Sequence, residues 1–172
     1  MGTTNKQKGK VPGKIEGLFI EYAQSHQNTT NVLIHWICVP LITFSLLGLV
    51  WMIPFPHISW LGSMNGFVNW ASFLIAFVIY YYLQLSPTLS YGMLFVIGIF
   101  SFFIVQLEYW EAAGGLPVWM VCAIIFVLSW IGQFIGHKIE GKKPSFLTDL
   151  KFLLIGPIWL LSKLYRKLKI PY

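Results

Sequence analysis

The chain contains four histidines, His26, His35, His57 and His137, and these are its residues best suited to chemistry. Imidazole is the usual ligand of zinc, copper, nickel and non-haem iron, and a ligating ring commonly donates its second nitrogen to a carboxylate, amide or carbonyl. Groups fit for that supporting role stand at helical spacing beside three of the four. Asn28, Asn31 and His35 share a face if a helix has begun there, Tyr22 precedes His26 by one turn, and Gln133, His137 and Glu140 share a face with Trp130 beneath. The expectation is a metal centre of His26, His35 and His137, with Asn31, Gln133 and Glu140 in support. A redox metal needs open coordination positions, which three imidazoles leave, with or without a carboxylate such as Glu140 or Asp149.

Other chemistries have weaker claims. Ser25, Ser45 and Ser129 lack the strand-turn-helix setting of a GxSxG elbow, and no GxGxxG or complete GxxxxGK[ST] loop is present to cradle phosphates. HExxH and CxxC motifs are also missing. Cys38 and Cys122 sit in apolar runs, where a thiol has little reason to ionise, so close packing is their expected role. Glu108 and Glu111 flank an apolar run and are expected to face water.

The histidines must be positioned by elements written for lipid. The chain is 56% hydrophobic, 17% aromatic and only 10% charged, with a mean hydropathy of +0.68, against a charged fraction of about a quarter in soluble domains. All 12 Lys and Arg lie either from Lys6 to Lys14 or from Lys138 to Lys169, and no Asp, Glu, Lys or Arg falls between Glu21 and Glu108. Basic clusters beside apolar spans are explained by the positive-inside bias and anionic headgroups, so no nucleic-acid partner is expected despite a pI of about 9.4.

A span needs about 20 mainly apolar residues, and four stretches qualify: 32–53, 67–85, 89–107 and 116–136. The second and third are joined so closely at Ser86 and Pro87 that they should form an antiparallel hairpin. Basic ends on one side of the membrane require an even number of crossings, which places both termini in the cytoplasm. The resulting expectation is an all-α polytopic membrane bundle of four transmembrane helices. A basic tail, 1–12, precedes a single domain, 13–172, that opens on an amphipathic helix near Ile15–Ser25. It closes on an interfacial or re-entrant segment, Phe152–Leu161, leading into a basic amphipathic end. In this topology His26, His35 and His137 meet at the cytoplasmic leaflet, while His57 lies about 30 Å away along the first span. Lys138, Lys142 and Lys143 are read as membrane anchors.

The stretch from Tyr22 through His26 and Asn31 to His35, followed by Val39 and Pro40, resembles the N-terminal motif of the iron-dependent 2-hydroxy fatty acid dioxygenase family. The stretch Trp130–His137 with Gln133, followed by Pro144, Asp149 and Gly156-Pro157, resembles its C-terminal motif. The likeness extends over about Gly17–Leu161. It implies an integral membrane enzyme that uses Fe(II) and O₂ to shorten a 2-hydroxy fatty acid by one carbon with release of CO₂, in fatty acid α-oxidation. It also implies His26, His35 and His137 as iron ligands or catalytic residues, with Asn31 and Gln133 as supporting polar groups. The expected location is a bacterial inner membrane or the endoplasmic reticulum. Two rivals remain at this level. A small transporter would need polar groups at the membrane midplane, where little stands beyond Asn69, Ser72, Gln84, Ser90 and Ser101. A non-catalytic scaffold would tolerate loss of the histidines. Oligomeric state is left open.

Overall fold

The structure, a computed structural model, describes residues 13–141 and 152–172. The expected basic tail, 1–12, lies outside the described residues, as do Lys142, Lys143, Pro144 and Asp149. Among the described residues there are no strands. The helices are α1 (Lys14–Ala23), α2 (Thr29–Trp51), α3 (Trp70–Leu85), α4 (Pro87–Ala112), α5 (Val118–Ile139) and α6 (Ile155–Lys167), with a 3-10 stretch at Ser59–Phe67.

Each long helix begins where a short polar group answers its first N–H groups, which have no partner inside the helix. The Asn28 side chain accepts from the N–H groups of Thr30 and Asn31 at 2.9 and 3.3 Å. Asn69 does the same for Ser72 at 3.0 Å. Ser86 ends α3 and caps α4, where Pro87 takes the first helical position. This is the tight hairpin expected from the sequence. Glu111, expected in water, is exposed and yet useful: its carboxylate accepts from Val118 N–H at 2.9 Å and so starts α5.

Helices α2, α4 and α5, of 23, 26 and 22 residues, are long and apolar enough to cross a membrane. Residues Phe77, Phe95, Phe102, Leu128, Ile131 and Ile135 point outward and exposed, a surface stable against lipid and not against water. The chain is a membrane protein. Helix α3 has 16 residues, or about 24 Å of rise. It starts three residues later than the expected 67–85 span because Asn69 caps it and the preceding residues form the 3-10 stretch.

The central joint is α2 against α5, running antiparallel. Small residues set the closeness of the two backbones. A Cβ at Gly132 would stand 2.7 Å from Cys38 Sγ, one at Gly136 would collide with Asn31 Oδ1, and one at Gly48 would collide with Cys122 Sγ. Both cysteines are thus packing groups, as their apolar setting implied. Around this joint, α1 and α6 close the end that carries the histidines. Their Phe19, Tyr22, Ile158 and Trp159 form one core with Val39, Tyr82, Leu89 and Met93, and a second core of Leu47, Ala71, Ile97 and Ile104 fills the opposite end. The apolar stretch Phe152–Leu161 divides into a turn and the buried first half of α6, which continues through the basic positions to Lys167.

Candidate metal centre

Three segments far apart in sequence each deliver one imidazole. His26 lies in the short link after α1, where its Nδ1 is 2.7 Å from the Tyr22 carbonyl and its ring stacks on Tyr22 with centroids 4.1 Å apart. His35 lies in the second turn of α2, with Nδ1 2.9 Å from the Asn31 carbonyl. His137 lies in the last turn of α5. The ring centroids are 4.3 Å apart for His26 and His35, 5.0 Å for His35 and His137, and 5.3 Å for His26 and His137. All three are buried, and one ligand atom from each falls within 4.8 Å of the other two, so the cluster could hold a metal ion.

The donor chemistry fits that use. A carbonyl can only accept a hydrogen bond, so Nδ1 of His26 and of His35 must be the protonated nitrogen, which puts the lone pair of each ring on Nε2. Ligand nitrogens about 2.1 Å from one ion stand roughly 3 to 4 Å apart, so ligand atoms within 4.8 Å of one another are on the scale of a metal site. A cavity of about 20 Å³ adjoins the rings, lined by His35 and His137 together with Tyr22, Gln133, Trp130 and Leu153. That volume holds about one water molecule.

The supporting residues divide into two groups. Gln133, one turn before His137, lines the cavity itself. Asn31 and Glu140 fasten the helix ends. The Asn31 amide donates to the Ser25 carbonyl at 3.1 Å and to Glu140 Oε2 at 3.0 Å, while Glu140 also accepts from the N–H groups of Gln27 and Asn28, each at 2.8 Å. Burial alone would raise the Glu140 pKa, but these three hydrogen bonds and the nearby His26 outweigh it and hold the carboxyl below its ordinary value. Glu140 therefore clamps the end of α5 onto the start of α2. Asn28 does not share the Asn31–His35 face in the way the spacing implied. It stands just outside the helix, as its cap.

His57 is exposed in the link beyond the far end of α2 and takes no part in the cluster. Two contributions were not read from sequence. A Cβ at Gly156 would approach Tyr22 Oη to 3.0 Å and Val39 Cγ1 to 3.3 Å, so glycine there lets α6 reach the site. The Tyr82 hydroxyl donates to the Leu154 carbonyl at 2.6 Å and ties the turn before α6 to α3. The first of these has a partial signal in the Gly156-Pro157 pair, while the second ends on a backbone acceptor and has none.

Fold and site together define a helical membrane protein with a buried three-histidine centre able to hold a metal ion. The family model described as 2-hydroxy-palmitic acid dioxygenase Mpo1-like matches residues 13–168, and the chain belongs to the Mpo1-like family. The match takes in all three histidines and both motif stretches. No curated protein and no solved structure matches the chain.

Proposed function

We propose that the protein is an Fe(II)-dependent dioxygenase that converts a 2-hydroxy fatty acid and O₂ into the fatty acid one carbon shorter, CO₂ and water. The observation that carries this reading is the meeting of three buried imidazoles from three separate segments in a chain whose family is named for a 2-hydroxy fatty acid dioxygenase. Iron is preferred because the net reaction reduces O₂, which a redox-inert ion does not support. When bound, the metal would supply O₂ activation and orientation of the substrate's polar end.

The chain's own residues do the rest. His26, His35 and His137 hold the ion, and the Tyr22 and Asn31 carbonyls fix the tautomer and tilt of two of those rings. Gln133 offers an amide to the substrate's carboxylate or 2-hydroxyl in the cavity beside His35 and His137. Asn31 and Glu140 keep the His26 link pressed against α5. The residues surrounding the centre are largely apolar, which limits water and suits the acyl portion of a lipid substrate.

The same reading takes α3 as a fourth crossing, with one membrane domain spanning 13–172 and both termini in the cytoplasm. The clustering of basic residues at the two ends supports that orientation. The test combines metal analysis of the purified protein with turnover of 2-hydroxy fatty acids. Stoichiometric iron and release of the shorter acid are expected. A folded protein that retains no redox metal after reconstitution, or that leaves 2-hydroxy acids untouched when iron-loaded, overturns the proposal.

A further inference from the structure

A second cavity, of about 70 Å³, lies between α2, α3, α4 and the start of α6, and its lining includes Thr43, Leu47, Val78, Met93 and Ile97. Leu153 belongs to the lining of both this cavity and the one beside His35 and His137, so the two adjoin at that side chain. The few polar groups in its wall are already bound to backbone: Thr43 Oγ1 donates to the Val39 carbonyl at 2.9 Å and the Tyr82 hydroxyl donates to the Leu154 carbonyl at 2.6 Å. A guest meets hydrocarbon and no unmet polar demand. At the end away from the histidines, Leu47 and Ile97 of the lining belong to the second core with Ala71 and Ile104.

Resting on the dioxygenase reading, we infer that this cavity is the slot for the substrate's acyl tail, that Leu153 is the threshold between headgroup and tail, and that Leu47 and Ile97 set the longest chain accepted. From His35 to Leu47 the rise along α2 is about 18 Å, a reach that a long acyl tail covers and a short one does not. The Tyr82 hydrogen bond to Leu154 holds the threshold in place. The tail then lies along the helices, and the carboxylate and 2-hydroxyl remain at the histidines.

Another apolar cleft competes for the tail. It is about 150 Å³, lies between α2, α4 and α6, and shares Thr43, Met93 and Pro157 with the slot while also touching Trp36, Val96 and Leu161. A 2-hydroxy fatty acid carrying a diazirine at its terminal carbon separates the two without any turnover. Photolysis of the full-length protein should label Leu47, Ile97 or their immediate neighbours, whereas labelling of Val96 and Leu161, or of no slot residue, overturns the inference. The second arm compares chain lengths. Leu47→Ala, or the milder Ile97→Val, should raise the kcat/KM ratio of the next longer over the preferred substrate by about tenfold, and Val96→Ala should leave that ratio unchanged. An unaltered profile in folded, metal-loaded Leu47→Ala and Ile97→Val proteins also overturns it. Failure of the dioxygenase reading looks different, since the wild-type chain would then turn over no 2-hydroxy acid of any length while the labelling pattern would still report where the tail lies.

Discussion

The two ends of the α2–α5 joint are built alike and filled differently. At one end Cys122 Sγ lies against Gly48, with Ile104 beside them. At the other, Asn31 lies against Gly136, with His35, Gln133 and His137 buried nearby. Both ends use a glycine to bring the backbones close, so close packing alone does not create a site. What differs is the fate of the buried groups. The opposite end buries a thiol, hydrocarbon and the Ser45 hydroxyl, which donates to carbonyls of its own helix, and these cost little in an apolar bundle. The histidine end buries amides and imidazoles, which are expensive there unless partnered, and it supplies the partners: the Ser25 and Asn31 carbonyls and the Glu140 carboxylate. It also receives a third imidazole from the α1–α2 link, a contribution with no counterpart at the far end.

The largest effect should follow from emptying the polar end. His35→Ala and His137→Ala are each expected to lose more than 100-fold in metal affinity, beyond the loss typical of supporting residues, and to lose turnover altogether. His57→Ala, beyond the far end of α2, should match the wild type in both. Metal content by elemental analysis, alongside helicity by circular dichroism, checks this. Equal metal loss in all three variants would remove the distinction between the ends.

The glycines sharpen the comparison further. Gly136→Ala and Gly48→Ala both add a methyl where none fits, and each should cost about 1 to 3 kcal/mol from overpacking. Their functional outcomes should part. Gly136→Ala pushes on Asn31, whose carbonyl orients His35, and should weaken metal binding about tenfold or more. Gly48→Ala should leave metal affinity unchanged at a similar loss of thermal stability. Melting temperature and metal titration in the same detergent give both readings.

Much of this arrangement is legible in the sequence, for physical reasons. Helices α2, α4 and α5 announce themselves because crossing a membrane needs a long apolar run, and these helices begin just after Asn28, Ser86 and Pro117. The histidine trio follows once the crossings are alternated. The late start of α3 is not legible, because Phe67 and Val68 are as apolar as the helix itself, and only the Asn69 cap marks the boundary. Spacing groups Glu140 with Gln133 and His137, yet its partners are the N–H groups of Gln27 and Asn28. Backbone donors carry no signature in residue type. The Gly132–Gly136 pair stands at the spacing of a close-packed helix face and could have been read in advance.

Glu140→Gln tests the clamp with a smaller change. The glutamine keeps the shape but offers one acceptor oxygen where the carboxylate offered two to Gln27, Asn28 and Asn31. The His26 link should loosen, and metal affinity should fall about tenfold, the low end for a supporting residue. His137 lies on α5 itself and not on the link, so its ring should keep its place. A loss as deep as that of His35→Ala would make Glu140 a ligand in its own right and not a clamp.

The smallest expected effect is on acid stability. Folding holds the Glu140 carboxyl below its ordinary value, so the folded protein binds fewer protons there than the unfolded chain does. The stability this contributes is fully present above the ordinary carboxyl pKa of about 4.3 and is lost as pH falls through the lower folded value. The sign is therefore loss on acidification, confined to the region below about pH 4. Because the carboxylate is partly exposed, solvent screening keeps the contribution small. The measurement is the difference in melting temperature between the wild type and Glu140→Gln at pH 7 and again at pH 3.5. That gap should narrow at the lower pH, since protonation brings the wild-type carboxyl to the neutral state the glutamine already has. The far end offers the control. Gly48→Ala removes no titrating group, so its deficit should be the same at both pH values, and a deficit that narrows like that of Glu140→Gln would trace the acid sensitivity to the bundle as a whole and not to the clamp.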